Sequence, residues 1–226
     1  MLPIVGIQKV TTIDYPCNIA GVFFLSGCPW NCTYCYNRDI VCNKLHPVGD
    51  DVIVNFLVER KGLLDGIILS GGEPTAYRKI LDLVHLVKDH GYNVGIHTNG
   101  YNHKILYKLV YSGNVDYIAM DVKAPLNKYD SITQVLHSDK NILNSIKIIT
   151  ESNVEHEFRT TYHPDFLSED DMLNIMSMVS ENGGINYYIQ RYKNINNTSG
   201  LSENNYISPV IKELGNAVFK NFAIRG

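Results

Sequence analysis

Beyond residue 42 the chain has no cysteine, and it has a single tryptophan, Trp30. All five thiols, Cys17, Cys28, Cys32, Cys35 and Cys42, crowd into the first part of a 226-residue chain. A disulfide scaffold spreads its staples through the fold, so this placement points to one local site in a reducing compartment. Long apolar runs are missing too, none approaching the ~20 residues of a membrane span. The start, Met1-Leu2-Pro3-Ile4-Val5-Gly6, lacks a basic stretch followed by a long apolar one, so no secretory signal is read and a cytoplasmic location is expected. A basic excess is also absent. The net charge of −3 argues against a nucleic-acid-binding face. Without secretion, Asn197-Thr198-Ser199 is a chance glycosylation match. With 45% apolar and 19% charged residues the composition is that of a globular protein, and residues 1–226 are expected to form one domain.

What the chain does have is Gly27-Cys28-Pro29-Trp30-Asn31-Cys32-Thr33-Tyr34-Cys35-Tyr36-Asn37, directly after the apolar run Ile19 to Leu25. Thiols this close in sequence converge on one metal centre at little cost in loop-closure entropy. A structural zinc site wants four protein ligands, whereas three leave a position open. Three thiolates also suit an iron–sulfur cluster. Cys42 or His46 could complete a zinc shell, so spacing alone leaves both readings open.

Apolar patterning alternates strands with helices. Strands are expected at Ile19 to Leu25, Ile67 to Leu69, Val94 to Ile96, Tyr117 to Met120, Glu157 to Thr161 and Tyr187 to Gln190. Gln8 to Asn18 reads as a turn-like approach, 192–205 as a polar exposed loop, and Ala217 to Ile224 as a last extended segment. Helices are expected between the strands, capped by Asp50 or Asp51, by Asp139, and by Ser168 with Asp171 three residues on. The methionines Met172 and Met176 fall at helical spacing and read as core. Six such units make an α/β protein with a parallel sheet. A full eight-unit barrel needs ~250 residues, so an incomplete (β/α)6 TIM-like barrel is expected, with a doubly wound open sheet as the alternative.

Polar clusters follow the strands, at the rim where parallel barrels carry their sites. Ser70-Gly71-Gly72-Glu73-Pro74 brings backbone close to something and adds a carboxylate. Asp121 and Lys123 alternate in phase with opposite charge, and Arg159 and Gln190 sit near the ends of the fifth and sixth strands.

The C-x3-C-x2-C spacing with Tyr34 before the third cysteine resembles the signature of the radical S-adenosylmethionine (SAM) superfamily, and Gly71-Gly72-Glu73-Pro74 resembles its Gly-Gly-Glu-Pro motif. With Asp14-Tyr15-Pro16, Thr98-Asn99-Gly100, Asp121-Val122-Lys123 and Arg159-Thr160-Thr161, most of the chain is similar to the anaerobic ribonucleoside-triphosphate reductase activating proteins, close to pyruvate formate-lyase activating enzyme. The resemblance implies a radical SAM partial barrel. It implies that Cys28, Cys32 and Cys35 hold a 4Fe–4S cluster, and that SAM meets Gly71, Gly72, Glu73, Thr98, Asn99, Asp121 and Lys123, with Tyr34 at the adenine edge. It implies an oxidoreductase that cleaves SAM reductively to a 5′-deoxyadenosyl radical and takes a hydrogen from a glycine of a partner enzyme, with Asp14 and Arg159 receiving that glycine loop. A flavodoxin- or ferredoxin-type protein would supply the electron. The bland readings are a turn carboxylate for Asp14 and a surface arginine for Arg159.

Three departures stand out. His97 stands where similar enzymes often have the Asp of an Asp-Thr-Asn-Gly run that ligates a monovalent cation, and neutral imidazole is a poor ligand for a hard ion. Cys17 and Tyr36 replace a common Gly and His. Cys17 and Cys42 read as structural or incidental thiols. The competing functions are a radical SAM enzyme acting on a small molecule, of the 7-carboxy-7-deazaguanine synthase type, and a zinc-stabilised binding module.

Overall fold

A computed structural model describes residues 2–193 and 206–226. The segment read as a polar loop, 192–205, falls almost wholly outside the described residues, as does Asn197-Thr198-Ser199. One eight-stranded sheet organises the chain, its strands lying side by side in sequence order. β1 (Ile4–Thr11) runs antiparallel to β2 (Ala20–Leu25). The rest is parallel: β3 (Gly66–Gly71), β4 (Asn93–Thr98), β5 (Tyr117–Asp121), β6 (Glu155–Tyr162), β7 (Asn186–Arg191) and β8 (Asn221–Arg225).

Helices fill the crossovers. α1 (Arg38–Val41) and α2 (Asp50–Glu59) follow β2, α3 (Ile80–Asp89) follows β3, and α4 (His103–Val110) follows β4. α5 (Tyr129–Thr133) and α6 (Ile142–Thr150) follow β5, α7 (Glu169–Glu181) follows β6, and α8 (Pro209–Val218) follows β7. β2 to β7 thus make six β/α units, flanked by β1, which the patterning did not mark out, and by β8, which falls within the extended segment expected at Ala217 to Ile224 but for its last residue, Arg225. Ala217 and Val218, expected to be extended, close α8 instead.

The strand period of two sorts the sheet into two faces. Phe23, Ile67, Leu69, Ile96, Ile118 and Met120 pack outward into the main core beneath the helices. Their neighbours Val22, Ile68, Tyr117 and Ala119 point the other way, into a smaller cluster closed by Tyr15, whose ring stacks on Tyr117 at 5.2 Å. Asp14-Tyr15-Pro16 is therefore more than a turn, because Tyr15 plugs the concave face from below. Further along the strands the same inward phase becomes polar: Ser70, His97, Asp121, Arg159, Thr161, Gln190 and Arg225.

Local chemistry sets the helix starts with mixed success. Ser168 and Asp171 form a reciprocal capping box on α7, as expected. α2 begins after Gly49, leaving Asp50 and Asp51 inside the first turn, where they complement the helix dipole. Asp139 does not cap α6. It lies in a short 3₁₀ turn, Ser138–Asn141, and α6 starts without a side-chain cap.

Candidate functional site

A cavity of about 950 Å³ opens at the carboxyl ends of the parallel strands. Every residue that the resemblance assigned to a cofactor or partner lines it: Asp14, Cys28, Cys32, Tyr34, Cys35, the Gly71-Gly72-Glu73 turn, Thr98, Asn99, Asp121, Lys123 and Arg159. Strand register explains the convergence, since Leu25 pairs with Gly71, Thr98 with Met120, and Asp121 with Arg159.

The cysteine loop is held open from outside by backbone bonds. The Asn31 and Thr33 amides donate to the carbonyls of Thr133 and Ile132 at 2.9 and 3.0 Å, tying the loop to α5. Trp30 is 2% exposed and packs edge-on against Tyr129 at 5.8 Å. Cys28, Cys32 and Cys35 are half-buried free thiols, whereas Cys17 and Cys42 are exposed. The Trp30 amide and the Asn99 side-chain nitrogen both donate to the Cys28 sulfur, at 3.4 and 3.6 Å. Burial, then the Glu73 carboxylate, pushes the Cys28 thiol up to about 12, and burial raises Cys32 as well. Loading a metal here therefore displaces protons. Among the described residues no group of three His, Cys, Asp or Glu could hold a single metal ion. His46 and Cys42 are exposed and lie outside the cavity lining, so a closed zinc shell finds no fourth ligand there. Three free thiols around one cavity, with donors aimed at a sulfur, fit a cluster in which each thiolate takes its own iron.

The Gly71-Gly72-Glu73 turn is packed against that loop. The Gly72 amide donates to the Leu25 carbonyl at 2.7 Å and the Glu73 amide to the Gly27 carbonyl at 2.9 Å. Gly71 has φ +107, and a Cβ on Gly72 would lie 1.8 Å from the Gly27 carbonyl oxygen. What the glycines approach is thus the start of the cysteine loop. Gly72→Ala is expected to push that loop aside and to cost about 1–3 kcal/mol, as overpacking does. Thermal melting of the metal-free protein together with iron content after reconstitution checks this, and both should fall.

Glu73 is 2% exposed. One carboxylate oxygen accepts from the Thr75 amide and from the Thr75 and Thr98 hydroxyls, and the other from the Asn99 amide at 2.7 Å. Burial raises its pKa against these bonds. Thr98 and Asn99 thus position the carboxylate and close the cavity around it. Across the cavity the Lys123 ammonium lies 2.7 Å from Asp121 and 5.9 Å from the Tyr34 ring centroid. Against the upward push of burial, Lys123 and Arg159 hold the Asp121 carboxyl below its usual range. The Tyr34 ring is buried beside Phe166 at 5.3 Å, and its hydroxyl has no hydrogen-bond partner among the described residues. A buried hydroxyl so placed is one that a bound ligand or water can serve.

The cavity wall away from the thiols is cationic. Arg159 is 6% exposed, so it is no surface arginine. It pairs with buried Glu157 and donates to the Tyr117 hydroxyl at 3.1 Å. Arg225, from β8, reaches the same Glu157 at 2.7 and 3.0 Å and lies 3.4 Å over the Tyr188 ring. Two guanidinium groups thus share one carboxylate, and both line the cavity. Arg225 escaped the sequence reading because it lies one residue beyond the extended segment read there, Ala217 to Ile224. The signal available was the short Phe222-Ala223-Ile224 alternation after a helix.

His97 lines the cavity and its Nε2 lies 2.9 Å from the Asp14 carbonyl, to which it donates, and 3.3 Å from an Arg159 nitrogen. Burial, then the Arg159 charge, lowers its pKa from 6.5 to about 4. The imidazole is therefore neutral at physiological pH, as expected of a hydrogen-bonded core histidine. The unfolded chain binds this proton more tightly, so the contribution to stability is present above pH 6.5 and is lost as pH falls towards 4. Metal-free protein is expected to lose about 2 kcal/mol between pH 7 and pH 5 from this group. Denaturant midpoints at the two pH values should show that loss, and His97→Gln should flatten it.

An open, mostly parallel sheet, with three free thiols and a buried carboxylate facing one polar cavity at the strand ends, defines a partial barrel with its candidate site at the rim. The chain belongs to the radical SAM superfamily, whose profile matches residues 22–179. Two proteins of Methanocaldococcus jannaschii, provisionally named glycyl-radical enzyme activating enzymes, are 33% and 34% identical to it. The first match covers 78% of this chain and 75% of the relative, the second 84% and 69%. Among solved structures, SuiB of Streptococcus suis bound to S-adenosylmethionine superposes with a TM-score of 0.67 at 17% identity, over 88% of this chain. The chain spans about half the length of SuiB, 48% of it. A domain of pyruvate-formate lyase-activating enzyme from Bacteroides vulgatus superposes with a TM-score of 0.55 at 13% identity, over 71% of this chain and 99% of that domain. These likenesses extend the shared fold across the sheet. Among the described residues no helix is long and apolar enough to cross a membrane.

Proposed function

We propose that the chain is a radical SAM activase that generates a glycyl radical on a partner enzyme, the anaerobic ribonucleoside-triphosphate reductase. The observation that carries the activase reading is the pair of relatives at 33% and 34% identity that bear that name, and the choice of partner rests on the motif resemblance alone. Cys28, Cys32 and Cys35 hold a 4Fe–4S cluster, which with SAM on its open iron supplies one-electron cleavage of a sulfonium carbon–sulfur bond. The Gly71-Gly72-Glu73 turn, with Thr98 and Asn99, receives the SAM amino group beside the cysteine loop. Asp121 and Lys123 hold SAM on the opposite side, with Tyr34 at the adenine edge. Asp14 and Arg159 face the remaining volume, where a glycine loop enters, and Arg225 extends that wall. A flavodoxin- or ferredoxin-type donor supplies the electron.

The test is anaerobic incubation of loaded protein with SAM, reductant and an anaerobic ribonucleotide reductase. A glycyl doublet in the electron paramagnetic resonance spectrum is expected. Its absence, with 5′-deoxyadenosine formed only when a small anionic substrate is added, would support the competing small-molecule reading. The cationic Arg159–Arg225 wall is the feature that favours that second reading.

A further inference from the structure

Asn99 is 7% exposed and sits between the buried carboxylate and the cysteine loop. Its amide is oriented by its surroundings. The side-chain oxygen accepts from the Tyr101 backbone N–H at 2.9 Å, so the side-chain nitrogen is the atom left facing Cys28, 3.6 Å from the sulfur. The Asn99 backbone N–H meanwhile donates to Glu73 at 2.7 Å. A second donor, the Trp30 amide, reaches the same sulfur at 3.4 Å. Donors to a cysteine sulfur stabilise the extra electron of a reduced iron–sulfur cluster, and so raise its reduction potential.

We infer that Asn99 is a positioning residue that acts through the Cys28 sulfur to hold the potential of the bound cluster within reach of its electron donor. The inference rests on the cluster assignment made above. Its backbone bond to Glu73 ties that donor to the residues proposed to hold SAM, so one short segment after β4 serves both halves of the site.

Reconstituted holoprotein separates the two claims. Iron and sulfide content is measured first. If the wild-type chain takes up no cluster, the functional reading and this inference both fail. With loaded protein, the midpoint potential is followed by paramagnetic resonance in a redox titration without SAM. Asn99→Ala removes the donor. Asn99→Asp keeps the acceptor for Tyr101 and turns a carboxylate towards the sulfur. At the wild-type midpoint the reduced-to-oxidised ratio is expected to fall about tenfold in Asn99→Ala, ~59 mV for a one-electron couple, and further in Asn99→Asp. Unchanged midpoints in loaded variants overturn the inference. Should the variants fail to load, wild-type protein carrying ¹⁵N only in its asparagine side-chain amides is read by pulsed resonance. A weak ¹⁵N coupling to the reduced cluster that persists when Asn31 and Asn37 are replaced by alanine supports the inference, and no such coupling overturns it.

Discussion

Replacing Cys28, Cys32 or Cys35 by alanine is expected to leave a folded protein that takes up little iron and cleaves SAM more than about 100-fold more slowly. The magnitude follows from scale: losing a hydrogen-bond partner of a metal ligand already costs about 10- to 100-fold in affinity or activity, and these changes remove a ligand. The fold should survive because the loop is fixed by packing of the Trp30 ring on Tyr129 and by the Asn31 and Thr33 backbone bonds to α5, none of which uses a thiol. Cys17→Ala and Cys42→Ala are the matched controls. Both thiols are exposed and outside the cavity lining, so iron content and cleavage should stay within about twofold of wild type. Iron and sulfide assays with chromatography of 5′-deoxyadenosine read all five variants. A Cys28→Ala protein that still loads a full cluster and cleaves SAM would remove the basis of the assignment.

The largest effect on stability should come from Glu157→Ala. Glu157 is 3% exposed and compensates both Arg159 and Arg225. Removing one partner of a buried ion pair leaves uncompensated charge and costs about 3–5 kcal/mol. Arg225 is 36% exposed along its side chain and can regain water, whereas Arg159, at 8%, cannot, which favours the lower end. A loss of about 3 kcal/mol lowers the melting temperature of a chain this size by ~6–12 °C. By contrast Lys44 and Asp39 are 65% and 66% exposed, and Lys44→Ala should leave the melting temperature unchanged. Thermal melts of the metal-free variants decide it. A Glu157→Ala protein as stable as wild type would mean that the two guanidinium groups are hydrated, not buried, and that the cationic wall is open to solvent.

How far the sequence could be read depended on how local each signal was. The six central strands carry short apolar runs with polar residues in phase beyond them. Inward-facing Asp121 and Arg159 could therefore be placed on one rim before the structure was in hand. The capping box of Ser168 and Asp171 needs only four residues and was legible for the same reason. β1 was not, because as an edge strand it buries only its ends, Ile4 and Thr11, and looks like a half-exposed loop. β8 was legible as an extended segment but its start was not, because Ala217 and Val218, the last residues of the preceding helix, are apolar and pattern equally well as strand. Arg225 fell just beyond the end read for that segment. The function of Gly72 was half legible: the absence of a side chain signalled a close approach, but the Gly27 carbonyl as its neighbour depends on β2–β3 register. Asp139 misled because a capping residue is judged from chain position, while a 3₁₀ turn of four residues displaced the helix start.

The central claim is that three thiols hold a cluster with one iron left for SAM. The most direct measurement is the paramagnetic resonance spectrum of the reduced, reconstituted protein before and after SAM is added. The spectrum should change on addition, because a cluster held by only three thiolates would leave a position open to SAM. A spectrum from a fully loaded cluster that SAM leaves untouched would contradict the account.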